Sequence, residues 1–150
     1  MHADDLPTTS SQIAALIPHQ GAMCLLEAVL ETTAERIVCA TQSHARPDNP
    51  LKRNGRLSAI ALCEYGAQAV AVHGGLAAQS AGSSPRSGLL VALRDVQLEL
   101  KDIEPTGTLE VSAHCIQTTL SASQYRFAVH REGQLLVSGR ATMVHRRMTE

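Results

Sequence analysis

A chain of 150 residues with a net charge of −1 is the size of one ordinary domain, and it can bury a sizeable core without disulfide staples. Its lysines and arginines are spread along the chain with no basic run interleaved with aromatics, which excludes a nucleic-acid footprint. The Ala-rich run from Ala59 to Ala78 comes nearest to a membrane span but carries Glu64, Gln68 and His73, so no membrane insertion is expected.

With no Trp and one Phe, the core must be filled by small aliphatic side chains, which suits a helix lying close on a sheet. Cys24, Cys39, Cys63 and Cys115 form no C-x-x-C pair and lie in apolar surroundings. They read as buried free thiols in a reducing compartment rather than as disulfides or zinc ligands. Asp4 and Asp5 precede no apolar segment, so the N-terminus does not read as a signal peptide and a cytoplasmic protein is expected. Arg140, His145, Arg146 and Arg147 read as a solvated strand end.

In chain order, residues 1–9 are a loose lead-in. A short helix is predicted from Ser10 to Leu16, capped by Ser10 or Ser11 and ended by Pro18. After a turn over 19–23, Cys24–Val29 and Arg36–Gln42 read as strands joined by a hairpin turn at Glu31–Glu35. Residues 43–56 form a polar loop with two prolines and a glycine, the kind of segment a scaffold presents for function. A largely buried helix is predicted over Leu57–Val72, with Ser58 as N-cap and Gly74-Gly75 as its stop. Its Glu64 and Gln68 are spaced i, i+4 and share a face, while Ala67 and Ala71 share another. Residues 77–87 read as a flexible connection. Long strands follow at Gly88–Leu100, with Val91, Leu93, Val96, Leu98 and Leu100 expected inward, and at Thr108–Leu120. A hairpin follows, with strands Gln124–Arg131 and Gln134–His145 around Glu132-Gly133.

One buried helix and a set of antiparallel strands give an α+β architecture over a single domain, 1–150. The pattern fits a hot-dog fold, in which a curved antiparallel sheet wraps a long central helix. Such sheets complete an interface with a second copy or a related chain, so a dimer is expected.

Two segments carry a family resemblance. The run Ile17-Pro18-His19-Gln20-Gly21-Ala22-Met23-Cys24-Leu25-Leu26-Glu27-Ala28-Val29 is similar to the leucine-proline-histidine lead-in of bacterial 3-hydroxyacyl-carrier-protein dehydratases, which runs into "LLxDxV". The run from Ser58 to Ala69 resembles the opening of their central helix, "PGVLxxEAMAQ". The form "EYGAQAVAVHGG" is closer still to a branch of hot-dog dehydratases associated with aryl-polyene-type lipid synthesis. The specific motifs cover about a fifth of the chain.

The resemblance implies dehydration of a 3-hydroxyacyl thioester on an acyl carrier protein, in a homodimer or in a heterodimer with a related hot-dog subunit, with no cofactor and no metal. It places Glu64 on the acidic catalytic position. That carboxyl group protonates the leaving hydroxyl while a histidine removes the proton next to the carbonyl, and helix N-terminal N–H groups polarise the thioester. Burial on an apolar helix is expected to keep such an acid protonated. The family's histidine, in "GHFPG", falls here on Pro50, or on Asn49 with a one-residue gap, and neither is a base. His44, the only histidine of the loop, is the candidate base. The family's helix-start proline and glycine are Ser58 and Ala59, with Gly55 as a substitute source of flexibility. The candidate substrate contacts are thus Ala59, Gln68, Asn49 and Gly55, with Gln68 also a natural donor to loop backbone. His19 is expected to tie the N-terminal segment to the core, His73 to complement the helix dipole, Tyr65 to pack, and His114 and His130 to be ordinary strand residues.

Two other readings compete. A hot-dog thioesterase would use Glu64 to activate water, and a non-catalytic partner subunit of a heteromeric dehydratase would explain the missing "GHFPG".

Overall fold

The computed structural model describes residues 6–17, 21–82 and 88–145. His19, the linker at 83–87 and the basic end at Arg146 and Arg147 lie outside the described residues. The first helix, α1 (Ser10–Ala14), is capped by Thr9, whose hydroxyl accepts the Gln12 N–H at 3.2 Å, rather than by Ser10 or Ser11.

Six strands make one antiparallel sheet. They are β1 (Ala28–Thr32), β2 (Arg36–Thr41), β4 (Gly88–Leu98), β6 (Leu109–Thr118), β7 (Ala122–Arg131) and β8 (Gln134–His145), in the order β1-β2-β6-β7-β8-β4. A second pairing joins β3 (Leu57–Ser58) to β5 (Asp102–Ile103). The β7–β8 hairpin turns at Glu132 (φ 51°) and Gly133 (φ 78°), the two left-handed residues that a type I′ turn requires.

Alternation sets the inner face. Ile37 and Cys39 on β2, Leu109, Val111 and Ala113 on β6, and Tyr125, Phe127 and Val129 on β7 are all buried. Against them lies α2 (Leu62–Ser80), packed on β2, β6, β7 and β8. Close approach is built into the sequence at one point. A Cβ at Gly66 would sit 2.4 Å from Phe127 Cδ2, and one at Gly139 would sit 2.8 Å from the same ring's Cζ. The chain's one phenylalanine is therefore held between a helix glycine and a strand glycine.

The structure corrects several element boundaries. Cys24–Glu27 is not ladder strand. Its Leu25 N–H donates to Gln68 Oε1, and its Leu25 carbonyl accepts from Ser43 Oγ at 2.7 Å, so side chains satisfy that backbone. The helix starts later and ends later than predicted. Leu57–Ser58 is strand, Ala59–Ala61 is a 3-10 turn, and Gly74 and Gly75 lie inside α2. Gly75 is there for proximity, since a Cβ would stand 2.8 Å from the Leu16 carbonyl oxygen. Strand β4 is an edge, with register shifts between Leu90 and Ala92 and between Arg94 and Gln97. Val91, Leu93 and Leu98, expected inward, are 50%, 38% and 46% exposed.

No helix among the described residues is long and apolar enough to cross a membrane. Cys24, Cys39 and Cys63 are buried free thiols, and Cys115 is half-buried and free. Burial pushes the Cys39 thiol up to about 12.

Candidate active site

Glu64 stands in the first turn of α2, and its side chain is exposed. The expectation that this helix buries it is corrected. Ala67, Ala71 and Gly74 continue the same outward stripe, and these residues are half-buried or exposed. The Glu64 carboxylate makes no hydrogen bond or ion pair with any described residue. The chain therefore does not itself desolvate this acid. Ile60, one turn before it, is 51% exposed. The 3-10 turn that carries Ile60 packs on β8, the neighbour of the β4 edge.

His44 sits on the 3-10 turn Ser43–Ala45 that follows β2, fully buried. Its Nε2–H donates to the Thr106 carbonyl at 2.8 Å, which leaves Nδ1 with a lone pair, and Nδ1 is buried with no partner among the described residues. Burial holds the imidazole below its ordinary value of 6.5. The Thr106 carbonyl opposes that, Arg131 and Lys52 push it lower still, and Glu27 works against them. His44 is fully buried while Glu64 is exposed, and no hydrogen bond or ion pair joins them. Within one chain His44 and Glu64 are therefore not brought together.

A group that is charged in the unfolded chain but neutral when folded favours folding above its ordinary value, and that contribution is lost as pH falls below it. Wild-type protein should thus lose stability below about pH 6.5 relative to a His44→Gln variant. Urea midpoints for the two proteins at pH 7.5 and pH 5.5 measure this, and parallel pH profiles would refute it.

The loop around His44 is knit by side chains that sequence reasoning had assigned otherwise. Asn49 is buried. Its Nδ2 donates to the Ser43 carbonyl and to Tyr65 Oη, each at 2.9 Å, and its Oδ1 accepts the Leu51 N–H at 2.9 Å. Since Ser43 Oγ gives its single hydrogen to the Leu25 carbonyl, the Tyr65 hydroxyl donates to Ser43 Oγ at 2.9 Å. The chain of donors runs from Asn49 through Tyr65 to Ser43 and ends on the Leu25 carbonyl as acceptor, so Asn49 is a brace rather than a substrate contact. Tyr65 does pack on another helix face than Glu64, but its hydroxyl has a partner on each side. Burial raises the Tyr65 phenol, with Ser43, Asn49 and Arg46 opposing. Arg46 leaves Nε and Nη2 buried and unpartnered among the described residues.

Gln68 is likewise structural. Its Nε2 donates to the Met23 carbonyl at 2.6 Å and its Oε1 accepts the Leu25 N–H at 2.9 Å, at 1% exposure. Both amide atoms are engaged with backbone, and the side chain is buried. Gln68→Leu keeps the volume and strands two buried backbone groups, which should cost about 2–4 kcal/mol. Chemical denaturation reads this directly, and a loss under 1 kcal/mol would contradict the assignment.

Ala59 is fully buried, and its N–H donates to the Lys101 carbonyl at 2.8 Å, so it is not free to polarise a thioester. Of the first-turn N–H groups that follow, that of Ile60 is the one a 3-10 start leaves over, because the Ala61 N–H closes the first i→i+3 bond onto the Ser58 carbonyl. Gly55 is exposed and belongs to a turn of its own. Asn54 (φ 54°) and Gly55 (φ 75°) close a tight hairpin in which Arg53 and Arg56 exchange backbone bonds of 2.8 and 3.0 Å. It shapes that turn and does not loosen the helix start. The turn carries Arg53 and Arg56 outward, beside Lys52. His73, expected at the helix end, is buried mid-helix. Its Nε2–H donates to the Thr33 carbonyl at 2.9 Å, and its Nδ1 accepts the Tyr125 hydroxyl at 2.6 Å. Among the described residues, no group of three His, Cys, Asp or Glu side chains is close enough to hold a metal ion.

The arrangement offers an exposed carboxylate beside small residues, a neutral buried imidazole and a basic turn. A family model described as ApeP-like, ApeP dehydratase, matches residues 11–149. The chain superposes on the dehydratase heterocomplex ApeI:P from Xenorhabdus doucetiae with a TM-score of 0.83 at 21% identity, covering 92% of this chain and 93% of that one. It is also similar to AziG from S. sahachiroi, with a TM-score of 0.59 at 12% identity over 80% of this chain and 90% of that one. A hypothetical thioesterase with coenzyme A from Streptococcus pneumoniae TIGR4 matches at a TM-score of 0.54 and 13% identity, over 79% and 84% of the two chains. No curated protein matches the chain. These structural likenesses are of fold, and that fold is the hot-dog.

Proposed function

The chain belongs to the ApeP-like dehydratase family, and from that premise we propose that it dehydrates 3-hydroxyacyl thioesters carried on an acyl carrier protein, in fatty-acid-like or polyene lipid synthesis. Residues 1–150 act as one hot-dog domain that works in a pair, either with its own copy or with a related hot-dog subunit.

The observation that carries this reading is the position of Glu64. It is exposed and unpartnered, on a stripe of small residues that a second chain can cover closely. Strand β4 supports the pairing, because it leaves an edge without a neighbour and shows Val91, Leu93 and Leu98 to solvent. A second chain over the stripe would take water away from the carboxyl and favour the protonated form that an acid needs. Glu64 then gives its proton to the leaving hydroxyl. The Ile60 N–H, left over by the 3-10 start, is the donor for the charge that develops on the thioester oxygen. His44 is the candidate base. Its tautomer suits proton removal, with Nε2–H held by Thr106 and the Nδ1 lone pair unused. As it does not meet Glu64 within one chain, the base and acid of one site come from two chains. The exposed Arg53 and Arg56, with Lys52, supply positive charge for an acidic carrier.

The complete burial of His44 favours a second reading, in which this chain is the partner subunit and another hot-dog chain performs the chemistry. Mass spectrometry of 3-hydroxyacyl carrier protein, incubated with the chain alone and with a related hot-dog subunit, separates the readings. Loss of one water that disappears with Glu64→Gln supports the proposal. Water loss with the partner that persists with Glu64→Gln selects the partner-subunit reading, and release of free acid selects a thioesterase.

A further inference from the structure

The sheet's outer face, opposite α2, carries a row of cations that the catalytic reading does not use. In the ladder register Arg36 on β2 stands opposite His114 on β6, His114 opposite Arg126 on β7, Arg126 opposite Arg140 on β8, and Arg140 opposite Arg94 on β4. Directly opposed residues point to the same face. Four arginines and a histidine therefore line up across five consecutive strands, a span of about 19 Å at one strand spacing per step.

Like charges directly opposite one another on a sheet destabilise it. Two carboxylates relieve the row in part: Glu31 bonds Arg36 at one end at 2.6 Å, and Asp95 lies 3.6 Å from Arg140, one strand in from the other end. Among the described residues, Arg126 and Arg94 have no ion partner. The neighbouring rows bring none either. On one side they present Val38, Ser112, Ala128, Ser138 and Gln97, and on the other Gln124, Thr142 and Ala92. Between Ser112, Ala128 and Ser138, four of the five cations border a groove of about 470 Å³ lined by Arg36, His114, Arg126, Arg140, Asp95 and Gln97.

We propose that this row is a docking surface for an acidic helix of a partner protein, lying across the strands. The charge pattern selects that occupant. The cations are spaced about 4.8 Å apart in a single line, and an α-helix presents one carboxylate per turn at about 5.4 Å. The cations form a line rather than a plane, and a chain of net charge −1 has no long-range pull toward an anionic membrane. Stacking of nucleic-acid bases has no platform here, because Phe127, Tyr65 and Tyr125 are all buried. The face lies on the far side of the sheet from Glu64, so an occupant leaves the proposed catalytic site open.

The test uses a 20-residue alanine-rich helical peptide with glutamate at every fourth position, measured by fluorescence anisotropy at low salt. Its controls are a peptide of equal composition with the glutamates clustered at one end, phosphatidylserine vesicles and a 20-nucleotide DNA strand. The periodic peptide should bind at least fivefold tighter than each control. Binding should fall at least tenfold in Arg94→Gln/Arg126→Gln and stay within threefold in Arg94→Lys/Arg126→Lys. The glutamine variant should melt no lower than wild type, and about 2 °C higher if repulsion in the row is relieved, so lost binding will not reflect lost folding. The proposal is overturned by equal binding of the clustered peptide, by tighter binding of vesicles or DNA, or by undiminished binding in the glutamine variant.

Discussion

Glutamine in place of Glu64 should lower the rate of water loss from 3-hydroxyacyl carrier protein by about 10²- to 10⁴-fold, the usual contribution of a positioned general acid. The substitution keeps the shape and removes only the ability to give a proton. It should leave stability within about 0.5 kcal/mol of wild type, because it alters an exposed side chain with no described partner. That split between rate and stability is the diagnostic. If Glu64 were only a solvated helix residue, the rate would stay within threefold. If it were a structural contact of the assembled pair, the pair would dissociate and the melting temperature would fall together with the rate. Initial rates by mass spectrometry, with the melting temperature and the assembled mass of the same samples, distinguish these outcomes.

Alanine in place of Gly66 is expected to be the most damaging single-methyl change in the fold. The new Cβ would lie 2.4 Å from Phe127 Cδ2 and 2.6 Å from Cγ. The ring cannot retreat, because the Gly139 backbone closes in behind it, where even a Cβ would sit 2.8 Å from Cζ. Overpacking of this kind costs about 1–3 kcal/mol. The better helix propensity of alanine returns about 1 kcal/mol, so a rigid ring at the upper end of that range leaves a net loss of about 2 kcal/mol. Gly74→Ala, in the same helix with nothing within 4 Å of the new Cβ, should instead gain about 0.5–1 kcal/mol in the unpaired chain. Urea unfolding of both variants reads the contrast, and equal effects would show that the ring does not set the cost. Phe127→Leu added to Gly66→Ala should recover part of the loss as a coupling between the two positions.

What the sequence disclosed follows from how local each signal is. Alternation placed β2, β6, β7 and β8, and Glu-Gly marked their hairpin, because period and turn chemistry are written within a few residues. Alternation does not say which strand is an edge, so Val91, Leu93 and Leu98 were read as inward. The helix was found from its alanine-rich run, but its ends were misplaced. Gly74-Gly75 has the composition of a stop, while Gly75 is required by the Leu16 carbonyl, nearly sixty residues earlier in the chain. Glu64 was expected to be buried because apolar residues, Ala67 and Ala71 among them, occur almost all round the helix, and small residues do not reveal that their side is open. The role of Gln68 as a donor to loop backbone was legible and Met23 accepts it, whereas the brace role of Asn49 depends on Ser43 and Tyr65, and no local spacing announces such partners. For the same reason the row from Arg36 to Arg94 was invisible, since it exists only once five strands are in register.

Strand β4 has a thermodynamic consequence. In the proposed pair, an edge of 11 residues that takes its neighbour from another molecule would make the folded state's free energy depend on mass action. Diluting the chain, or synthesising it in excess of such a partner, should then lower its apparent melting temperature and leave backbone donors and acceptors open to the wrong strand.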